Sequence, residues 1–328
     1  IPNYREGYTT DDNARALIVS VLLEELGNKE AVELATRYLA FTWYAFNSET
    51  RRFRNFMDYQ RNWLEESGSD DSHGRALWAL GTVLGRSNSH APHNMDARVF
   101  QQALLPILGT TSPRAWAFAL IGIYEYLQRF EGDRHVRQVQ EELADRLVSL
   151  YKENRIEGWN WFENKLTYCN AALSHALLLC GQSLSNPEMT SVGLESLSWL
   201  AELQHADSDE KHFVPIGSNG FYQKGGERAR FDQQPVEAQA MVSACLEAQR
   251  ITLDKKWHQE VRRAFEWFLG RNDLHLPVYD PTTGGCRDGL HPDRPNENQG
   301  AESTLAFLQS LLELRLTESV GQPVEHTQ

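Results

Sequence analysis

Thr10-Asp11-Asp12-Asn13-Ala14-Arg15-Ala16-Leu17-Ile18-Val19 is the stretch that decides the fold, because the chain uses it twice. The second copy is Ser69-Asp70-Asp71-Ser72-His73-Gly74-Arg75-Ala76-Leu77-Trp78-Ala79-Leu80. Aligned on Arg-Ala-Leu, Asp11 falls on Asp71, Asn13 on His73 and Arg15 on Arg75. Each copy is a polar cluster followed at once by a small, apolar helical run. An acidic residue there caps free backbone N–H groups and suits the positive end of the helix dipole. Capping accounts for one acidic residue per copy. It does not account for Asp-Asp twice, each followed within a turn by Asn or His and then Arg.

Working outward, four more segments repeat the plan, starting near Ser112, Tyr168, Gln234 and Gln299. These runs are apolar almost all round, as in Ala171-Ala172-Leu173-Ser174-His175-Ala176-Leu177-Leu178-Leu179, so such helices are buried on most sides. Between them lie longer amphipathic runs at 29–46, 96–108, 135–152, 188–203 and 255–269. Val136, Val139, Leu143 and Leu147 show the i, i+3, i+7 spacing of a helix with one wet side. Ser112-Pro113 and Asn186-Pro187 place a cap and a Pro at helix starts. Six buried helices alternating with five half-exposed ones predict an all-α protein, an (α/α)6 toroid formed by residues 1–328 as one domain. A sixth outer helix would precede Ile1, and we expect it to have been lost, trimmed or supplied by another segment. A superhelical array would need more uniform repeats and fewer long loops. Short β pieces are expected only in loops, at 278–279 and 212–216.

Four long loops, 46–69, 154–167, 205–233 and 272–298, each precede an inner helix and so crowd one rim. Loops this long in a compact domain are usually functional. Their aromatic and polar content predicts a cleft lined by carboxylates, amides and rings. Gln234-Pro235-Val236-Glu237 and Gln299-Gly300-Ala301-Glu302 share a Gln-x-x-Glu pattern at the last two inner helices. Read locally, each Glu is a first-turn residue of a capping-box variant. Taken with Asp232 and Glu297, they face the paired aspartates across the ring. Opposed carboxylates are what glycoside hydrolysis requires, one to protonate the leaving oxygen and one to activate water or attack carbon. We therefore expect Asp12 and Asp71 as one catalytic side and Glu302 or Asp232 as the other. Asp11, Asp70, Glu163, Gln234, Glu237, Asp288 and Gln299 are candidate substrate contacts. Tyr59, Trp159 and Trp161 are candidate sugar platforms, and His73 is a candidate hydrogen-bond partner. Their bland readings are caps for the carboxylates, a hydrophobic plug for Trp159 and Trp161, and a satisfied core group for His73.

Composition narrows the partners. A formal charge of −13 argues against nucleic acid and anionic membranes. No run reaches the roughly 18 apolar residues of a membrane span. Cys169, Cys180, Cys245 and Cys286 lack CxxC-type spacing and read as reduced core thiols of a cytoplasmic protein. Cys286, Asp288, His291 and Asp293 lie close enough in sequence to ligate zinc, but match no known zinc spacing. No metal and no cofactor are expected. There is no GxxxxGK[ST], GxSxG or HExxH.

With these residues in view, the chain resembles the (α/α)6-toroid carbohydrate-active proteins, a group of inverting glycosidases, unsaturated-uronyl hydrolases and N-acylglucosamine 2-epimerases. More narrowly, the two Arg-Ala-Leu segments, Phe231-Asp232-Gln233-Gln234-Pro235 and Asn298-Gln299-Gly300-Ala301-Glu302-Ser303 look like bacterial glycosyltransferase-associated proteins. The resemblance implies a saccharide ligand, but carries no catalytic role across to individual residues. The epimerase pattern of paired histidines around the cleft has no clear counterpart, since only His73 and His175 fall on inner helices. A glycoside hydrolase acting on oligosaccharides is the leading expectation. A sugar epimerase or isomerase, and a non-catalytic glycan-binding or glycosyltransferase-accessory domain, are the alternatives.

Overall fold

A computed structural model describes residues 6–89, 94–207 and 211–321. The inner helices are α1 (Thr10–Glu25), α3 (Asp70–Arg86), α5 (Pro113–Arg129), α7 (Ala171–Ser183), α9 (Pro235–Thr252) and α11 (Ala301–Gly321). The outer helices are α2 (Ala31–Ala45), α4 (Asn94–Ile107), α6 (Arg134–Asn154), α8 (Pro187–Leu203) and α10 (Lys255–Phe268). Each inner helix packs on the next, and α11 packs back on α1 to close the ring. Each outer helix lies against the inner helix that precedes it. The architecture is the expected (α/α)6 toroid, with five outer helices among the described residues.

The boundaries follow from the caps. Thr9, Ser69 and Ser112 accept hydrogen bonds from backbone N–H groups at the starts of α1, α3 and α5. Asp133, Asn186 and Asp254 do the same for α6, α8 and α10. Pro at the first position of α5 and α8 gives up an N–H that no helix could have used. The tightest wall is α3 on α5. There a Cβ on Gly81 would stand 2.0 Å from the Gly122 carbonyl oxygen, so only glycine lets these backbones meet.

Because the chain runs the same way in every inner helix, all six N-termini open on one rim. The long loops gather there and are stitched by two-residue ribbons: β1 (Tyr8–Thr9) with β4 (Phe56–Met57), and β2 (Phe46–Asn47) with β3 (Arg52–Phe53). Further along, β5 (Lys165–Leu166) pairs β6 (Tyr222–Gln223), and β7 (Gly289–Leu290) pairs β8 (Pro295–Asn296). The β pieces expected at 212–216 and 278–279 are only single bridges, Phe213 to His205 and Tyr279 to Cys286. Among the described residues no helix is long and apolar enough to cross a membrane. All four cysteines are free and buried.

Candidate active site at the ring axis

At the rim, the first turns of α1, α3 and α11 converge on a cleft of about 180 Å³. Asp11, Arg15, Asp71, Arg75, Tyr168 and Glu302 contribute its charged and phenolic walls. Arg15 and Arg75 are almost wholly buried. Arg15 Nε lies 3.1 Å from Asp11 Oδ2, and its Nη2 lies 2.6 Å from Glu302 Oε2 across the seam of the ring. Arg75 Nε reaches back to Asp11 Oδ1 at 2.8 Å, with its guanidinium 3.9 Å from the centre of the Phe118 ring. Asp11 is therefore clamped by two guanidinium groups. Burial pushes its carboxyl up, but Arg15 and Arg75 outweigh that and hold it below the usual range.

Asp71, the aligned partner of Asp11, has a different shell. Ser112 Oγ donates to its Oδ1 at 2.8 Å, and the Tyr168 hydroxyl donates to its Oδ2. Burial, then the bond to Asp71, raises the Tyr168 phenol well above its ordinary value. Tyr168 is itself held from behind. Arg114 donates to its carbonyl at 2.6 Å, to Glu163 at 2.7 Å and to Asn170 at 3.2 Å. Glu237 completes this buried layer, accepting from the Cys169 backbone N–H and from Asn170 Nδ2. Burial pushes the Glu237 carboxyl up to about 7, against the hydrogen bonds from Asn170 and Cys169 and the charge of Arg114. Its capping-box reading is replaced by a bond between α9 and the start of α7.

Of the residues singled out from sequence, Asp11, Asp71 and Glu302 share the cleft, whereas Asp12 does not line it. Asp12 receives the Thr9 hydroxyl at 2.8 Å while its own N–H bonds Thr9 Oγ1, a reciprocal helix-start cap. Burial raises its carboxyl, opposed by the Thr9 bond and helped by Asp11. Asp70 pairs with Arg52 at 2.8 Å, and Asp232 accepts from His291 at 2.5 Å; neither lines the cleft. Gln234 is the N-cap residue of α9 and makes no side-chain cap bond. Gln299 braces the rim loop through Thr283 and Asp280, and Asp288 caps α11 by accepting the Gly300 N–H at 2.8 Å.

The aromatic and histidine expectations need correction. Trp159 and Trp161 are buried, at 3% and 0% exposure, so their faces are not open to a sugar. Trp159 packs edge-on against Trp199 and Tyr222 and donates to the Glu163 carbonyl, which makes this loop a plug. His73 lies wholly inside, bonded to the Ala103 carbonyl at 2.9 Å. Burial, then Arg52, lowers it to about 4, and it acts as a neutral core group. His175 lines a different hollow, of about 440 Å³ at the opposite mouth of the ring. Tyr59 alone among the expected platforms is exposed. The Cys286, Asp288, His291 and Asp293 side chains each engage separate partners, and no group of metal-ligand type forms among the described residues.

Sequence reasoning missed the two hydroxyls on Asp71. Ser112 and Tyr168 stood out only as helix boundaries, and nothing local marks them as partners of a residue on another helix. The Arg114 layer was equally unsignalled.

No family model and no curated protein matches the chain. Solved structures do. A sugar epimerase from a ruminal bacterium superposes with a TM-score of 0.74 at 10% identity, over 99% of this chain and 90% of that one. Cellobiose 2-epimerase from Bacillus thermoamylovorans B4167 gives 0.72 at 13% identity, over 96% and 90%. The GH76 α-mannanase of Bacteroides thetaiotaomicron gives 0.64 at 10% identity, over 95% and 88%. What they share with this chain is the fold. It is an (α/α)6 toroid. Within that toroid these neighbours divide between epimerases and a mannanase, so the chemistry has to be argued from the cleft.

Proposed function

We propose that the protein is a glycoside-cleaving enzyme whose acid–base pair is Asp71 and Glu302. The observation that carries this is their meeting in one cleft, from α3 and α11, over the clamped Arg15–Asp11–Arg75 floor. Asp71 accepts two O–H bonds, which suits a carboxylate that takes a proton from water or attacks carbon. Glu302, 44% exposed at the mouth and bridged to Arg15 through Oε2, is the second carboxylate that a bound saccharide would meet. The buried guanidiniums fix Asp11 and Glu302 in place around the cleft. Asp12 and Asp232, bonded elsewhere, drop out of the working pair.

We read the cleft as one for cleavage rather than epimerisation. Abstraction of a proton next to a carbonyl is served best by a group that titrates near neutrality. His73 is sealed beneath the cleft and His175 lies at the other mouth, so neither on-axis imidazole reaches the lining. Incubation with manno-, gluco- and galacto-oligosaccharides tests the reading. Release of new reducing ends, lost in Asp71→Asn, is the expected result. A changed monosaccharide without cleavage would replace it with the epimerase reading, and binding without turnover with the glycan-binding one.

A further inference from the structure

β1, α2 and the loop that follows α2 bring a line of rings together near the surface. Tyr59 stacks on Tyr8, with centroids 5.6 Å apart and planes 11° from parallel. Tyr8 meets Phe41 at 6.4 Å, Phe41 meets Trp63 edge-on at 5.8 Å, and Trp63 meets Tyr44 at 5.5 Å. Tyr44 and Tyr59 are 58% and 50% exposed. Phe56, also exposed, lies on the ribbon partner of Thr9.

This strip and the cleft share one frame. β1 carries Tyr8 and runs straight into α1. Asn55, which lines the cleft, takes the Thr10 N–H on its carbonyl and the Asp11 N–H on its side chain. The strip is therefore carried by the same ribbon and helix start as the cleft.

Large rings contribute most when buried, so a connected set with Tyr8, Tyr44 and Tyr59 exposed marks a binding surface. Its surroundings select the occupant. Gln60, Arg61 and Asn62 are exposed beside the rings, and the Arg54 guanidinium lies 5.9 Å from the Trp63 ring centre. Tyr, Trp and Arg are also enriched at protein-docking patches, so a second copy of the chain is the competing occupant. A sugar unit instead presents a C–H face fringed with hydroxyls, which matches flat rings fringed with amides and charges. The −13 net charge disfavours a polyanion.

We propose that the strip from Tyr59 through Tyr8 and Trp63 to Tyr44 is a glycan platform, holding the part of a saccharide chain outside the cleft. It rests on the saccharide reading of the cleft but not on bond cleavage. The substrate class is accordingly a chain of several units rather than a free monosaccharide.

Affinity electrophoresis in gels containing α-mannan, mixed-linkage β-glucan or galactomannan tests this without requiring turnover. At least one polysaccharide should retard the wild-type protein. The double variant Tyr44→Ala/Tyr59→Ala should bind about tenfold more weakly or worse, with an unchanged thermal transition. Tyr44→Phe/Tyr59→Phe, which keeps both rings, should retain binding. If no polysaccharide retards the wild type, or the alanine pair is retarded normally, the platform is overturned. It is also overturned if sedimentation shows that the strip instead joins two copies of the chain. Retardation lost with the rings, in a protein that cleaves no glycoside, would keep the platform and remove the hydrolase reading.

Discussion

The starts of α1 and α3 are nearly the same sequence, yet they have become different chemical objects. Asp11 lies between two buried guanidiniums and stays charged as part of the scaffold. Asp71, at the aligned position, meets two hydroxyls and keeps one edge on the cleft. The arginines make the difference. Arg15 reaches Glu302 on the inner helix before its own, and Arg75 likewise reaches Asp11, so each charge is spent one step back around the ring. No arginine pairs with Asp71 among the described residues, because Arg114, on the next inner helix, turns to Tyr168, Glu163 and Asn170. A repeated motif thus yields one fixed charge and one available carboxylate.

Breaking that contrast should be most costly at Asp11. Asp11→Asn leaves two buried cations short of a partner, and loss of one member of such a pair costs about 3–5 kcal/mol. A urea melt should show that loss, with turnover falling alongside it. Asp71→Asn should invert the pattern. Stability should change by no more than about 1 kcal/mol, since size and most hydrogen bonding remain. Turnover of a cleaved glycoside should drop roughly a hundred- to ten-thousand-fold. An Asp71→Asn protein that unfolds while Asp11→Asn works normally would reverse our assignment of the two residues.

Glu237 sharpens the comparison through pH. Its folded carboxyl sits at about 7 against an ordinary 4.5, so folding favours the neutral form. The stability it contributes is complete below the unfolded value and is lost as pH rises through the folded one. Between about pH 5 and pH 8 the wild type should therefore lose roughly 1–3 kcal/mol relative to Glu237→Gln, which is neutral throughout. Parallel stability curves for the two proteins would show that Glu237 does not titrate in the fold. The smallest effect belongs to Asp12. Asp12→Asn should cost about 0.5–1 kcal/mol as a weakened cap. It should leave turnover intact, and a large loss would return Asp12 to the catalytic pair.

Local physics explains what the sequence disclosed. Helix positions were legible because burial and capping act within a few residues: Thr9, Ser69 and Ser112 cap where polar clusters meet apolar runs. The acidic helix starts of α1, α3 and α11 were legible for the same reason. The partners of each carboxylate were not, since Ser112 is 41 residues from Asp71 and Tyr168 is 97. The aromatic loops misled in one direction. Trp161 and Tyr59 both lie in rim loops, and packing against Phe162 and Trp199 buries the first while the second stays in water.

The Arg15–Glu302 bridge joins side chains 287 positions apart. A polypeptide is made from its N-terminus at roughly 5–20 residues per second, and early segments begin to fold while later ones are still being added. The cleft lacks its Glu302 wall until α11 has docked against α1. A chain that stops before α11 therefore lacks the second carboxylate of the site, and the competence of the cleft reports that synthesis reached the last inner helix.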